Sequence, residues 1–84
     1  MMLDAQIEWN PPGLKRGDMA TVTVEVPNAE VGDFVMVSPS ENIWSLTMTG
    51  YVSKSNEVTI VLMSGRRYHL DLAPMTVYVR VTPR

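Results

Sequence analysis

The chain has 84 residues, a formal net charge of −2 and no cysteine, and 45% of its residues are hydrophobic. This length supports one domain, and neither a disulfide nor a Cys/His zinc site is available to stabilise it. The acidic balance argues against nucleic acid as the main partner, and no apolar run reaches the roughly 18 residues that a membrane-spanning helix needs.

Short alternating segments fill the first half of the chain. Ile7 and Trp9 alternate with Glu8 and predict a strand at residues 5–9, with an extended N-terminal arm over residues 1–12 as the alternative. Residues 20–26 alternate alanine and valine with threonine and glutamate, the period of a half-buried strand. Residues 34–37 are apolar throughout, so they predict a strand buried on both faces.

The second half continues in the same way. Strands are predicted at residues 46–53, 58–63 and 75–82, with Lys54-Ser55-Asn56-Glu57 as the tip of a hairpin between the first two. Within residues 58–63 the out-of-phase positions Val61 and Met63 are also apolar. A second covered face on this strand indicates either a loop wrapped over it or contact with another chain.

Short strands separated by turns about every ten residues, without a helical period of 3.6, define the fold class. We predict an all-β domain over residues 1–84, a small antiparallel β-sandwich or jelly-roll-like barrel of about six to seven strands.

Residues for catalysis are sparse. His69 is the one histidine, the carboxylates are spread singly, and no Gly-x-Ser-x-Gly elbow is present. Asp33, after Gly32, is expected to accept backbone hydrogen bonds within its turn. We therefore predict a protein that is not an enzyme, with no cofactor, metal, small-molecule substrate, nucleic acid or membrane to bind.

Several residues are candidates for a contact with a protein partner. Arg66-Arg67 concentrates positive charge and could pair with an acidic surface, although loop solubility is the simpler explanation. Aromatic residues near strand ends often anchor interfaces, although they also fill cores. The candidate interface consists of Trp9, Val61, Met63, Arg66, Arg67 and Tyr68. Arg16-Gly17-Asp18 matches a cell-adhesion tripeptide, but a turn before the next strand is the simpler interpretation.

Pieces of the chain resemble short β-rich proteins encoded among phage virion genes. The resemblance covers roughly residues 18–82, and its motifs are turns and strand starts. They are Asn28-Ala29, Gly32-Asp33-Phe34-Val35, Val37-Ser38, Gly50-Tyr51-Val52-Ser53, Asn56, Val58-Thr59, Asp71-Leu72-Ala73, Thr76, Val79 and Val81. The chain departs from that pattern after Met63, where Ser64-Gly65-Arg66-Arg67-Tyr68 replaces a loop usually richer in Asn, Pro and small residues.

The resemblance implies a capsid cement or decoration protein of a tailed phage. Such a protein is made in the host cytoplasm, binds the major capsid protein and copies of itself as a dimer or trimer, and stabilises the head from its outer surface. One alternative is a tail or receptor-binding accessory domain, for which Trp44, Tyr68 and His69 are the best candidate residues. Another is a carbohydrate-binding, immunoglobulin-like module.

Overall fold

The computed structural model describes residues 2–11, 19–41, 46–63 and 74–84. These residues form six β-strands and no helix. The strands are β1 (Leu3–Trp9), β2 (Met19–Glu25), β3 (Phe34–Pro39), β4 (Thr47–Lys54), β5 (Glu57–Met63) and β6 (Met75–Thr82). Each strand follows from the alternating or β-branched segment that predicts it, and the bounds differ from the predicted ones by three residues or fewer.

The strands pair into two three-stranded antiparallel sheets. The first sheet has the order β1-β6-β3 and the second has the order β2-β5-β4. The all-β class and the small β-sandwich are therefore confirmed, with six strands. Leu3–Trp9 pairs with β6 along its full length, so residues 3–9 belong to the first sheet and do not extend as an arm.

The core lies between the two sheets. Every second residue of each strand faces inward, and the two central strands, β5 and β6, contribute the most deeply buried side chains. Val58, Ile60, Val77 and Val81 are fully buried. Burying such a side chain stabilises the fold by about 1.5–3 kcal/mol, and this core of β-branched residues suits a pleated surface.

The predicted hairpin tip is confirmed, and its turn is joined to another part of the chain. Ser55 and Asn56 form the turn between β4 and β5, and Asn56 has a φ of 68°. The Asn56 backbone N–H donates to the carbonyl of Ala29 at 2.8 Å, and its carbonyl accepts from the Val26 N–H at 2.9 Å. The Asn56 Oδ1 also accepts from the Asn28 N–H at 2.7 Å, so the hairpin tip fixes the segment that follows β2.

Asp33 performs the role predicted for it. Its carboxylate accepts a hydrogen bond from the backbone N–H of Glu30 at 3.0 Å, which closes the turn ahead of β3. It also accepts from the Arg84 N–H at 3.2 Å, so the same side chain holds residue 84 beside the start of β3.

One prediction about burial is wrong. β3 is not buried on both faces: Val35 and Val37 face the core, whereas Phe34 and Met36 are exposed on the outer face. The reason is that no described element covers the outer face of the first sheet, where Tyr78 of the central strand β6 is exposed as well. In β5 the outward-facing Val61 is half-buried, since β5 has a neighbouring strand on each side.

Candidate interaction surface

Three large apolar side chains lie together on the outer face of the first sheet. Phe34 and Met36 are 65% and 68% exposed on β3, and Tyr78 is 50% exposed on the neighbouring strand β6. Phe34 and Met36 are two positions apart and share a face, while Tyr78 lies diagonally from Met36 because Met36 pairs with Arg80. We call Phe34, Met36 and Tyr78 the apolar stripe.

An ion pair lies next to the apolar stripe. Arg80 donates from Nε to Asp4 Oδ1 at 2.7 Å and from Nη2 to Oδ2 at 3.3 Å, a bidentate arrangement across β6 and β1. The hydrogen bond from Arg80 lowers the pKa of Asp4 below its ordinary value of 3.8. Both side chains are exposed, so the pair contributes little to stability, but it neutralises the charge next to Met36.

A shallow open groove of about 640 Å³ runs along the same face. The apolar side chains of Met36 and Tyr78 line it together with Gln6, Ser38 and the Asp4–Arg80 pair. Aromatic residues, Met and Arg are the types enriched at protein interfaces, and polar residues typically form the rim. The groove therefore has the composition of a protein-binding surface.

The outer face of the second sheet has a different character. It is mostly short hydroxyl side chains, and its exposed large apolar residues lie at two separate places, Met19 directly opposite Met63 at one end and Tyr51 on β4. The hydroxyl side chains that cover it are those of Thr21, Thr23, Thr47, Thr49 and Thr59. Paired threonines suit a solvated β-surface, so this face offers a weaker anchor than the apolar stripe.

Of the residues predicted as an interface, the three that the structure describes lie on different sheets. Trp9 lies on the inner face of β1, half-buried against the core. Val61 is half-buried on the outer face of β5, between Thr21 and Thr49, and Met63, 47% exposed, lies at the end of that strand. Trp9 is thus on a different sheet and faces the interior. Arg66, Arg67 and Tyr68 lie outside the described residues, as do Arg16-Gly17-Asp18, Trp44 and His69.

Sequence reasoning missed the apolar stripe. The apolar run at residues 34–37 was the available signal, but a run without alternation fits a strand buried on both faces as well as an edge strand with an apolar outer face. Tyr78 alternates with buried valines in β6, so the pattern does predict that it faces outward. Sequence alone does not reveal that Tyr78 and Met36 are neighbours, because the β3–β6 pairing joins distant segments.

The described part of the chain contains no group of His, Cys, Asp and Glu side chains that could hold a metal ion. It also contains no helix long and apolar enough to cross a membrane. Comparison of the chain with known protein families, with curated proteins and with solved structures finds no match.

Proposed function

We propose that the protein is a non-enzymatic structural protein that works by docking the apolar stripe onto a protein partner. The observation that carries this proposal is the exposure of Phe34, Met36 and Tyr78 on one face of one sheet. Contiguous apolar surface of this kind typically marks a binding site, because leaving it in water costs about 25 cal/mol for each Å².

The particular role that we propose is capsid cement or decoration of a tailed phage. The support for this role is the resemblance carried by the turn and strand motifs, among them Gly32-Asp33-Phe34-Val35. In this role the protein binds the major capsid protein and copies of itself on the virion surface. A small domain without a disulfide gains stability from such neighbours, since binding to the folded state stabilises it by mass action.

A glycan is the second candidate ligand, and the groove is the observation that favours it. Tyr78 offers an aromatic face, and Gln6, Ser38 and the Asp4–Arg80 pair offer hydrogen-bond donors and acceptors around it. Two of the guanidinium N–H groups of Arg80 bind Asp4, which leaves others for a ligand. This arrangement would suit a binding module or a receptor-binding domain of a phage tail.

The test is co-sedimentation of the purified protein with empty heads of the phage that carries its gene. We expect saturation at a fixed ratio to capsid protein, and a loss of affinity of about ten-fold or more for the Phe34→Ser/Met36→Ser double variant. Both residues are exposed, so the variant should keep the circular dichroism spectrum of the wild type.

The matched control is the Met19→Ser/Tyr51→Ser double variant, which removes two exposed large side chains from the outer face of the second sheet. It should bind heads within about two-fold of the wild type, as peripheral substitutions usually do. Equal losses in both double variants would contradict docking through the apolar stripe. A protein that ignores heads would contradict the capsid role, and a glycan array would then test the second candidate.

A further inference from the structure

The free edge of β3 differs from the other three sheet edges. β3 pairs with β6 on one side, and no described strand pairs with its other side. Edge strands are usually protected against pairing with another chain by charges or bulges. β1 carries Asp4 and Glu8 on its outer face, and β4 has a register shift and Lys54 at its hairpin end.

The remaining edge, β2, is also uncharged from Met19 to Val24, but its outward side chains are the two threonines Thr21 and Thr23 between a single exposed apolar residue, Met19, and Glu25. β3 has no charged residue from Phe34 to Pro39, and its outward side chains include the exposed Phe34 and Met36. It is therefore the edge best suited to accept a further strand. Its backbone supplies the hydrogen bonds, and its apolar side chains supply the contact area.

We propose that two copies of the chain pair through β3, antiparallel, with Met36 of each copy at the two-fold axis. The first sheets of the two copies then form one continuous six-stranded sheet. This inference deepens the proposed function and rests on it only for the statement that the protein works with copies of itself.

The register follows from the pleat and from Pro39. A two-fold axis perpendicular to the sheet relates the two antiparallel β3 strands and leaves the outer faces of both copies on the same side of the joined sheet. Each outward residue of one copy must therefore be opposite an outward residue of the other. Pro39 has no N–H to donate and ends the usable edge, which leaves residues 34–38. The centre of that segment is Met36, and the register then places Phe34 opposite Ser38 of the second copy.

The charges on the first sheet favour a second copy as the occupant. The register places Met36 against itself and Val35 against Val37, so no charged side chain meets another across the new pairing. Arg80, which lies opposite Met36 on β6, is already neutralised by Asp4 on the side away from β3. The pairing also doubles the apolar stripe on one face, which gives a dimer two equivalent contacts with a symmetric surface.

Single cysteines test the register directly, because the natural chain contains no cysteine. We expect Met36→Cys to form an intermolecular disulfide under mild oxidation, since directly opposed residues have Cα atoms about 4.5–5.5 Å apart, within disulfide range. Ser38→Cys is the matched control on the same face of the same strand. Its two copies would lie about 14 Å apart, beyond that range.

A mixture supplies the second test. Phe34→Cys and Ser38→Cys should each cross-link poorly alone, and an equal mixture should form the mixed disulfide, because residue 34 is opposite residue 38. A five-residue strand pair is a small interface, so dimerisation should depend on concentration, and cross-linking traps such a weak dimer. Cross-linking of Ser38→Cys as fast as Met36→Cys would overturn the inference, as would no cross-linking of Met36→Cys at millimolar protein.

A non-covalent measurement completes the test. Met36→Lys places two like charges opposite each other at the axis, so sedimentation should show dimerisation weakened by about ten-fold or more. Unchanged dimerisation of that variant would overturn the inference. None of these experiments contains phage heads, so the dimer and the capsid role are tested separately. A protein that cross-links but does not bind heads would support the dimer and contradict the capsid role. A protein that binds heads but does not cross-link would support the capsid role and contradict the dimer.

Discussion

Gly50 is a position where the two sheets approach each other closely. A Cβ atom at this residue would lie 2.9 Å from Cγ1 of Val37 and 3.0 Å from Cγ1 of Val35. Both valines belong to β3, and Gly50 belongs to β4, so a missing side chain on one sheet makes room for side chains of the other. β-branched valines have few alternative rotamers, and they cannot move aside at low cost.

We expect Gly50→Ala to destabilise the protein by about 1–3 kcal/mol, the usual cost of overpacking a core. Urea unfolding followed by tryptophan fluorescence measures this change. In a Val37→Ala background the same substitution should cost less, because the closest contact has been removed. Equal costs in the two backgrounds would show that the contact between the sheets is not the cause.

At the scale of elements, the hairpin tip between β4 and β5 is also a connector. Asn56 has a positive φ and makes three hydrogen bonds, by its N–H, its carbonyl and its Oδ1, to residues 26–29. A positive φ costs most side chains about 1–2 kcal/mol, and Asn tolerates it better than most. One residue therefore determines both the turn and its attachment to the end of β2.

This arrangement predicts an order of stabilities. Asn56→Ala loses both the tolerance of positive φ and the Oδ1 acceptor, so it should unfold about 1–2 kcal/mol more easily than the wild type. Asn56→Gly loses only the Oδ1 acceptor, so its stability should lie between that of the wild type and that of Asn56→Ala. Ser55→Ala, at the neighbouring turn position, is the control: it removes only an exposed hydrogen bond from its hydroxyl to the Glu30 carboxylate and should change stability by about 0.5 kcal/mol or less. An Asn56→Ala variant as stable as Asn56→Gly would contradict the role of the positive φ.

For the edge strand β3, the sequence predicted the strand but not which of its faces is buried. The sequence of residues 34–37 predicted a strand, and the strand is present. Its faces were not predictable, because Phe, Val, Met and Val carry no polar residue to mark the outward side. Only the position of β3 beside β6 and above Gly50 determines that the valines are inside and that Phe34 and Met36 are outside.

For the whole molecule, the order of the strands in the two sheets determines how fast the chain can fold. Neither sheet is built from a contiguous piece of the chain, and of the four described strand pairings only β4–β5 joins strands that are neighbours in sequence. The β1–β6 pairing joins Leu3 to Val81. Folding must therefore close long loops, at a cost in chain entropy, before the contacts of the core can form. This cost slows folding.

We expect refolding in the range of milliseconds to seconds, as for other all-β domains of high contact order. Stopped-flow dilution from urea with tryptophan fluorescence measures the rate, and circular dichroism on the same samples provides the control. Both probes should give the same rate, because no sheet can form alone. Microsecond folding, or one signal completing well before the other, would contradict this picture.

The sequence by itself determined the local properties of this protein: the all-β class, the six strands, the hairpin tip at Asn56 and the turn closed by Asp33. These depend on residue type and on a period of two, which the chain carries within short segments. Tertiary structure decided which strands lie at edges, which face of β3 meets water, and that Met36, Tyr78 and the Asp4–Arg80 pair are neighbours. Those features depend on pairings between distant segments, and no local pattern records them.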